Sequence, residues 1–179
     1  PANIYGAHLL VADGKPGTRG LRHLQWARHL VGKNGHVETV FPGITKNTTG
    51  PEKEWVDFMT ACYRLDLVPV IRLGGICRAG QWDAPVADAP GDYRSMAEAI
   101  RLVVDGLPRS DLHPLYIEIW NEPNLAAEWS GKPDPKEYAD FFVAAAEAIH
   151  SLKDQRILVL NGALAPGDDW VEMLCKANP

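Results

Sequence analysis

The sequence predicts an α/β protein with a parallel β-sheet. Short runs rich in valine, isoleucine and leucine alternate with longer amphipathic stretches along the chain. The runs V-P-V-I-R-L at 68–73 and I-L-V-L at 157–160 are almost continuously apolar, which is typical of parallel strands that are covered on both faces. The 179 residues are enough for one domain with a substantial hydrophobic core. We therefore expect a single domain, residues 1–179, organised as successive strand–helix units.

Five such units can be placed in order along the chain. We expect strands at residues 4–10, 37–41, 68–73, 115–120 and 156–160. We expect helices at residues 19–31, 51–65, 92–106 and 135–152, a last helix near Asp168, and a long loop between residues 74 and 91. Pro51 and Pro135 fit the first turn of a helix, which tolerates a missing N–H, while Gly32 and Gly106 fit helix ends. These helix signals agree with the hydrophobic periodicity.

Composition excludes several classes of function. The 18 lysines and arginines are scattered and outnumbered by 23 acidic residues, giving a net charge of −5, whereas nucleic-acid binding needs a concentrated basic surface. No apolar run approaches the roughly 20 residues that cross a bilayer. The sequence contains no H-E-x-x-H pattern, no C-x-x-C pattern and no glycine-rich phosphate-binding motif. We therefore expect no nucleic-acid or membrane partner, no metal, no cofactor, and free thiols at Cys62, Cys77 and Cys175.

The predicted strand ends carry the candidate functional residues. In parallel α/β folds, binding and catalytic groups gather where the loops leave the carboxyl ends of the strands. These ends are unusually polar and rich in glycine. They carry His8, F-P-G at 41–43, Arg72 followed by G-G at 74–75, W-N-E-P-N at 120–124, and N-G at 161–162. We expect the chemistry of the protein at this edge of the sheet.

The sharpest signal is the segment I-E-I-W-N-E-P-N-L at 117–125. It predicts a strand that runs into an Asn–Glu pair and is ended by a proline. A glutamate partly buried beside an aromatic residue can keep its proton near neutral pH and donate it to a leaving group. The amide of Asn121 can hydrogen-bond a substrate hydroxyl. The competing interpretation is that Glu122 is an ordinary surface carboxylate and that Pro123 only ends the strand.

The W-N-E-P-N run resembles the fourth-strand signature of the retaining (β/α)8-barrel glycoside hydrolases of clan A, either the β-xylosidase and α-iduronidase type or the cellulase-like families. The N-G-A-L-A-P run at 161–166 resembles the fifth strand of the same families. This resemblance implies an incomplete TIM barrel that hydrolyses O-glycosyl bonds of an oligo- or polysaccharide with retention. It also implies that Glu122 is the general acid/base and that Asn121 binds a sugar hydroxyl.

Further side chains are candidates for supporting roles. Arg72 and Glu118 fall in what should be adjacent strands, so we expect a buried ion pair beneath the site. Trp82 and Trp129, in the two longest loops, fit either sugar-stacking platforms or ordinary loop packing. Trp120 of the motif is a further substrate-binding candidate. His8 fits either a substrate contact or a structural role.

The five predicted units fall short of the eight in a complete barrel. A retaining glycosidase needs a nucleophilic carboxylate about 5–5.5 Å from the acid/base, and the resemblance implies that this residue comes from a seventh strand. Asp168 and Asp169 fit the first turn of the last helix better than that role. Three interpretations follow: the N-terminal part of a longer hydrolase, a unit whose open edges pair with another copy or a partner chain, and a carbohydrate-binding α/β module without catalysis.

Overall fold

The computed structural model of the protein describes residues 3–10, 17–167 and 169–177. The elements in chain order are β1 (Gly6–His8), α1 (Arg19–Val31), β2 (His36–Phe41), α2 (Lys53–Arg64), β3 (Val68–Leu73), β4 (Cys77–Arg78), β5 (Gln81–Trp82), α3 (Arg94–Gly106), β6 (Leu115–Ile119), α4 (Pro135–His150), β7 (Ile157–Asn161) and α5 (Trp170–Ala177). The predicted alternation of strands and helices is confirmed. The helix at 19–31 and the strand at 68–73 agree with the prediction residue for residue.

Within the described residues, the main sheet has five strands in the order β1-β2-β3-β6-β7. Every neighbouring pair is parallel, which confirms the predicted fold class. Because the strands follow chain order without reversal, right-handed crossovers place the helices on the same face of the sheet. The carboxyl ends of these parallel strands therefore lie at one edge of the sheet.

The two faces of the sheet differ in burial. The face towards the helices is buried and almost wholly apolar, and it forms the hydrophobic core. Its residues include Val37, Phe41, Ile71, Leu73, Leu115, Ile117 and Ile119. The opposite face carries His36, Glu38, Val70, Arg72, Tyr116, Glu118, Leu158 and Leu160, of which Leu158 and Leu160 are 42% and 38% exposed. The helix-free face is thus a row of charged and apolar side chains that is incompletely covered.

The long loop after β3 contains a small hairpin that the sequence analysis did not predict. Strands β4 and β5 pair antiparallel, with Cys77 opposite Trp82. The two residues between them, Ala79 and Gly80, have φ of 50° and 80°, the backbone of the turns that best join such strands. Alanine seldom adopts positive φ, so this dipeptide gives a weak turn signal.

Several element boundaries differ from the prediction. β1 covers only Gly6–His8 of the expected 4–10, and α2 begins at Lys53, two residues after Pro51. β6 ends at Ile119 because Trp120 turns into the left-handed region with φ 69°. The last helix begins at Trp170, so Asp169 precedes it, and Asp168 lies outside the described residues.

Candidate functional site

Glu122 lies immediately beyond the carboxyl end of β6, between the ends of its two neighbours. The Trp120 N–H donates to Leu73 O of β3 at 3.0 Å, and the Glu122 N–H donates to Ala163 O beyond β7 at 2.9 Å. Trp120 and Glu122 both have positive φ, 69° and 34°. Such backbone costs about 1–3 kcal/mol per residue and tends to cluster at functional sites. The Glu122 side chain is half-buried, and its backbone is fixed at the sheet edge by these bonds.

The segment after Glu122 is fixed to the end of β7 by Asn124. Its side chain donates Nδ2 to Ala165 O and accepts the Ala165 N–H on Oδ1, both at 2.9 Å. Pro123 between them is buried. The segments 120–124 and 161–166, which carry the family resemblance, are therefore in direct contact. This contact holds Asn121 and Glu122 at one edge of the main sheet.

Beneath this edge, Tyr138 of α4 joins β6 to β7. Its hydroxyl donates to Ile119 O at 3.0 Å and accepts the Gly162 N–H at 2.6 Å. Burial raises the pKa of Tyr138, so the hydroxyl keeps its proton and can donate. Tyr138 was not a candidate from the sequence, because it lies in the first turn of α4 and nothing in the helical pattern distinguishes it from a core tyrosine.

Gly162 leaves no room for a side chain at this junction. A Cβ there would lie 2.8 Å from Trp120 O and 2.9 Å from Ile119 O, so Gly162→Ala must displace the backbone that carries Glu122. We expect the free energy of unfolding to fall by about 1–3 kcal/mol, as for other overpacked sites. Urea unfolding measures the loss. The matched control is Gly50→Ala, where a Cβ would meet no described atom within 4 Å, and an equal loss in both variants would refute the close-contact explanation.

Arg72 links charged side chains on three adjacent strands. Its Nε lies 3.0 Å from Glu118 Oε1, and its Nη2 contacts Glu38 Oε1. Glu118 Oε1 also accepts the Ala163 N–H at 2.7 Å. Burial raises the pKa of Glu118, while the Ala163 N–H and the Arg72 charge oppose the increase. The expected Arg72–Glu118 pair thus lies beneath the site, in contact with the loop that also holds Glu122.

Glu38 is a member of this group that the sequence analysis missed. It faces Val70 across the β2–β3 ladder, two residues before the position opposite Arg72, so the contact is diagonal. On its other side, Glu38 Oε2 lies 3.8 Å from His8 Nδ1. His8 itself is half-exposed at the end of β1. The row His8–Glu38–Arg72–Glu118 therefore crosses the sheet from β1 to β6 on the helix-free face.

The three candidate tryptophans differ in burial. Trp129 is 1% exposed and packs edge-on against Tyr138, so the loop-packing interpretation applies and the stacking platform is wrong for this residue. Trp120, at 2% exposed, also offers no free face for stacking. Trp82 is half-buried and packs against Gly74, where a Cβ would lie 3.3 Å from Trp82 Cζ3. The sequence left both interpretations of the loop tryptophans open, and burial decides between them for Trp129.

A small cavity adjoins Asn121. Its volume is about 20 Å³, and its lining consists of Val40, Gly74, Trp82, Trp120, Asn121 and Glu128. Glu128 was not a candidate in the sequence analysis, although its position beside Trp129 in a long loop is a usable signal. The cavity brings Trp82, Trp120 and Asn121 of the predicted site together, whereas His8 lies at the far edge strand.

Among residues 3–10, 17–167 and 169–177, no three His, Cys, Asp or Glu side chains are grouped to hold a metal ion. No helix in the same ranges is both long and apolar enough to cross a bilayer. Cys62 is buried and Cys77 and Cys175 are exposed, all three as free thiols.

The architecture is similar to solved glycoside hydrolases. A family 39 glycoside hydrolase from the gut symbiont Bacteroides cellulosilyticus WH2 matches with a TM-score of 0.61 and 15% identity, covering 90% of this chain and 31% of that one. A glucosidase from Croceicoccus marinus matches with a TM-score of 0.59 and 12% identity, covering 98% and 41%. The fold is that of a partial (β/α)8 barrel. No protein-family model and no curated protein matches the sequence.

The partial barrel spans less than half the length of each of these two structures. At 12–15% identity the likeness concerns the fold, since one barrel architecture supports many activities. It agrees with the clan-level resemblance of the W-N-E-P-N segment.

Proposed function

We propose that the chain is the acid/base part of a retaining glycoside hydrolase that acts on an oligo- or polysaccharide. The observation that carries this proposal is the position of Glu122, half-buried at the carboxyl end of β6 and beside Asn121. Catalytic residues of (β/α)8 barrels lie at these strand ends. The backbone hydrogen bonds to β3 and to the loop beyond β7 support the assignment, since they fix the backbone that carries the Glu122 side chain.

In the proposed reaction, Glu122 acts twice. Its carboxyl first donates a proton to the glycosidic oxygen while the C–O bond breaks and the leaving group departs. A second carboxylate attacks the anomeric carbon and forms a glycosyl ester. The ionised Glu122 then takes a proton from water, whose oxygen attacks the anomeric carbon. The glycosyl ester bond breaks, the second carboxylate leaves, and the sugar is released with its original configuration. Asn121 holds a sugar hydroxyl through its amide and takes no part in the proton transfers.

The second carboxylate is proposed to come from strands beyond residue 179. Support comes from the apolar side chains exposed at both ends of the sheet. They are Trp26 and Leu30 on α1, Val171 and Met173 on α5, and Leu158 and Leu160 on β7. β1 and β7 are the two edge strands, and exposed apolar surface beside open strand edges favours association with further units. Additional strand–helix units would cover these surfaces and complete the barrel.

The test is hydrolysis of p-nitrophenyl glycosides by the protein that carries the strands beyond residue 179, with the anomer of the first product followed by ¹H NMR. We expect turnover with retention of configuration. Residues 1–179 alone are expected to give none, because the proposed nucleophile lies beyond them. Inversion would contradict the retaining mechanism, and oligosaccharide binding without turnover would favour the carbohydrate-binding module instead.

A further inference from the structure

The cavity beside Asn121 contains two buried polar atoms that have no partner among the described residues. These atoms are Trp120 Nε1 and Glu128 Oε2, and both side chains line the cavity. A buried polar group without a hydrogen bond costs about 1–3 kcal/mol, more when it is charged. Native proteins therefore rarely leave two such groups around one cavity without a ligand or an ordered water.

The walls of this cavity are held by close packing. The Trp120 ring lies edge-on to Phe141, with centroids 5.3 Å apart. On its other side, a Cβ at Gly75 would lie 2.7 Å from Trp120 Cζ2, so only glycine fits there. Trp82 closes the adjoining wall against Gly74. The indole N–H is therefore fixed in direction before any ligand arrives.

The Trp82 wall is in turn tied to the loop that carries Glu128. The Trp82 N–H donates to Ala127 O at 2.7 Å, and its carbonyl accepts the Ser130 N–H at 3.1 Å. The hairpin and the 125–131 loop are thus joined by two backbone hydrogen bonds. This arrangement sets the Glu128 carboxylate beside the same cavity as the Trp120 indole.

The two free atoms have complementary chemistry. An indole N–H can only donate a hydrogen bond, and an ionised carboxylate can only accept one. A hydroxyl group both accepts and donates, so one hydroxyl can satisfy both atoms at once. The volume of about 20 Å³ suffices for one group of that size.

We propose that this cavity, the Trp120–Glu128 subsite, binds one hydroxyl of a sugar, which accepts from Trp120 Nε1–H and donates to Glu128. The sugar as ligand class rests on the proposed function. Asn121 lines the same cavity, so the hydroxyl would belong to a sugar residue next to Glu122. Glu128 would then be a specificity-determining residue that selects for a hydroxyl at one ring position.

The test follows the indole N–H NMR signals of ¹⁵N-labelled protein during separate titrations with D-xylose and with D-glucose. Both titrations use the complete chain. The signal of Trp120 is identified by its loss in Trp120→Phe. We expect it to shift saturably with at least one sugar and to stay in place with tetrahydropyran, which has the ring but no hydroxyl. The signal of Trp26, on α1, is expected to stay in place throughout.

Glu128→Gln keeps the side-chain shape and removes the charge. We expect the affinity for the sugar to fall about tenfold, as for loss of a hydrogen bond to a charged group. Glu147→Gln, an exposed position on α4, is the matched control and should leave the affinity unchanged. A Trp120 signal that ignores both sugars, or wild-type affinity in Glu128→Gln, would overturn the subsite and leave water as the occupant.

The same preparations separate this inference from the proposed function. Hydrolysis of p-nitrophenyl glycosides that depends on Glu122, together with a silent Trp120 signal, would overturn the subsite alone. A saturable Trp120 shift in a protein without hydrolysis would support the subsite and overturn the glycosidase.

Discussion

Glu122→Gln in the complete protein is expected to lower kcat/KM for unactivated glycosides by about 10²- to 10⁴-fold, the usual contribution of a general acid/base. Glutamine keeps the size of the side chain and can neither donate a proton to the leaving oxygen nor take one from water. The Glu122 backbone N–H to Ala163 O bond does not involve the side chain, so the fold should persist. Initial rates on natural oligosaccharides and aryl glycosides measure the effect.

The leaving group distinguishes proton donation from a structural effect. From a 2,4-dinitrophenyl glycoside, the leaving group departs as dinitrophenolate without protonation, so the first step should be nearly unaffected in Glu122→Gln. The second step still lacks its base, and we therefore expect a burst of one equivalent of dinitrophenolate followed by slow turnover. Glu147→Gln serves as the control with unchanged rates. Equal losses for all leaving groups, or activity undiminished in Glu122→Gln, would refute the acid/base assignment.

Arg72→Met is expected to lower the free energy of unfolding by about 3 kcal/mol or more, the scale for breaking a buried ion pair. The substitution leaves Glu118, which is 6% exposed, without its cation and removes the contact of Glu38. Equilibrium unfolding in urea at neutral pH measures the loss. The double variant Arg72→Met/Glu118→Met should regain part of it, because no uncompensated charge then remains at Glu118.

The loss in Arg72→Met should also depend on pH. The Arg72 charge opposes the increase in the pKa of Glu118 that burial causes, so without Arg72 this pKa rises further. Above the pKa of an unfolded glutamate, the native variant then holds a proton that its unfolded state has released. Stability falls as pH rises through that interval, and the difference from wild type should grow between pH 4 and pH 7. A pH-independent difference would contradict this explanation.

The elements that the sequence predicts well are those with purely local signals. The helix at 19–31 and the strand at 68–73 agree with the structure, because hydrophobic periodicity and end residues specify them. The hairpin at 77–82 was missed because its turn uses Ala79 at positive φ. The left-handed backbone of Trp120 and Glu122 is set by bonds to β3 and to the loop beyond β7, which no local pattern contains.

In the candidate site too, local sequence signals predict some features, and others depend on contacts that form only on folding. The W-N-E-P-N segment places Asn121 and Glu122 at a strand end, and strand adjacency predicts the Arg72–Glu118 pair. Glu38 joins that pair only through the diagonal geometry of the β2–β3 ladder. The burial of Trp129 depends on packing against Tyr138 of α4, and the free atoms of Trp120 and Glu128 depend on two loops that meet only in the folded chain.

The most direct measurement of the central claim is the coding sequence that follows the codon for Pro179. We expect an open frame with three further strand–helix units and a glutamate at the carboxyl end of the seventh strand, which would be the nucleophile that acts together with Glu122. A stop codon directly after Pro179 would contradict this expectation, because the chain would then contain no seventh strand to carry the nucleophile.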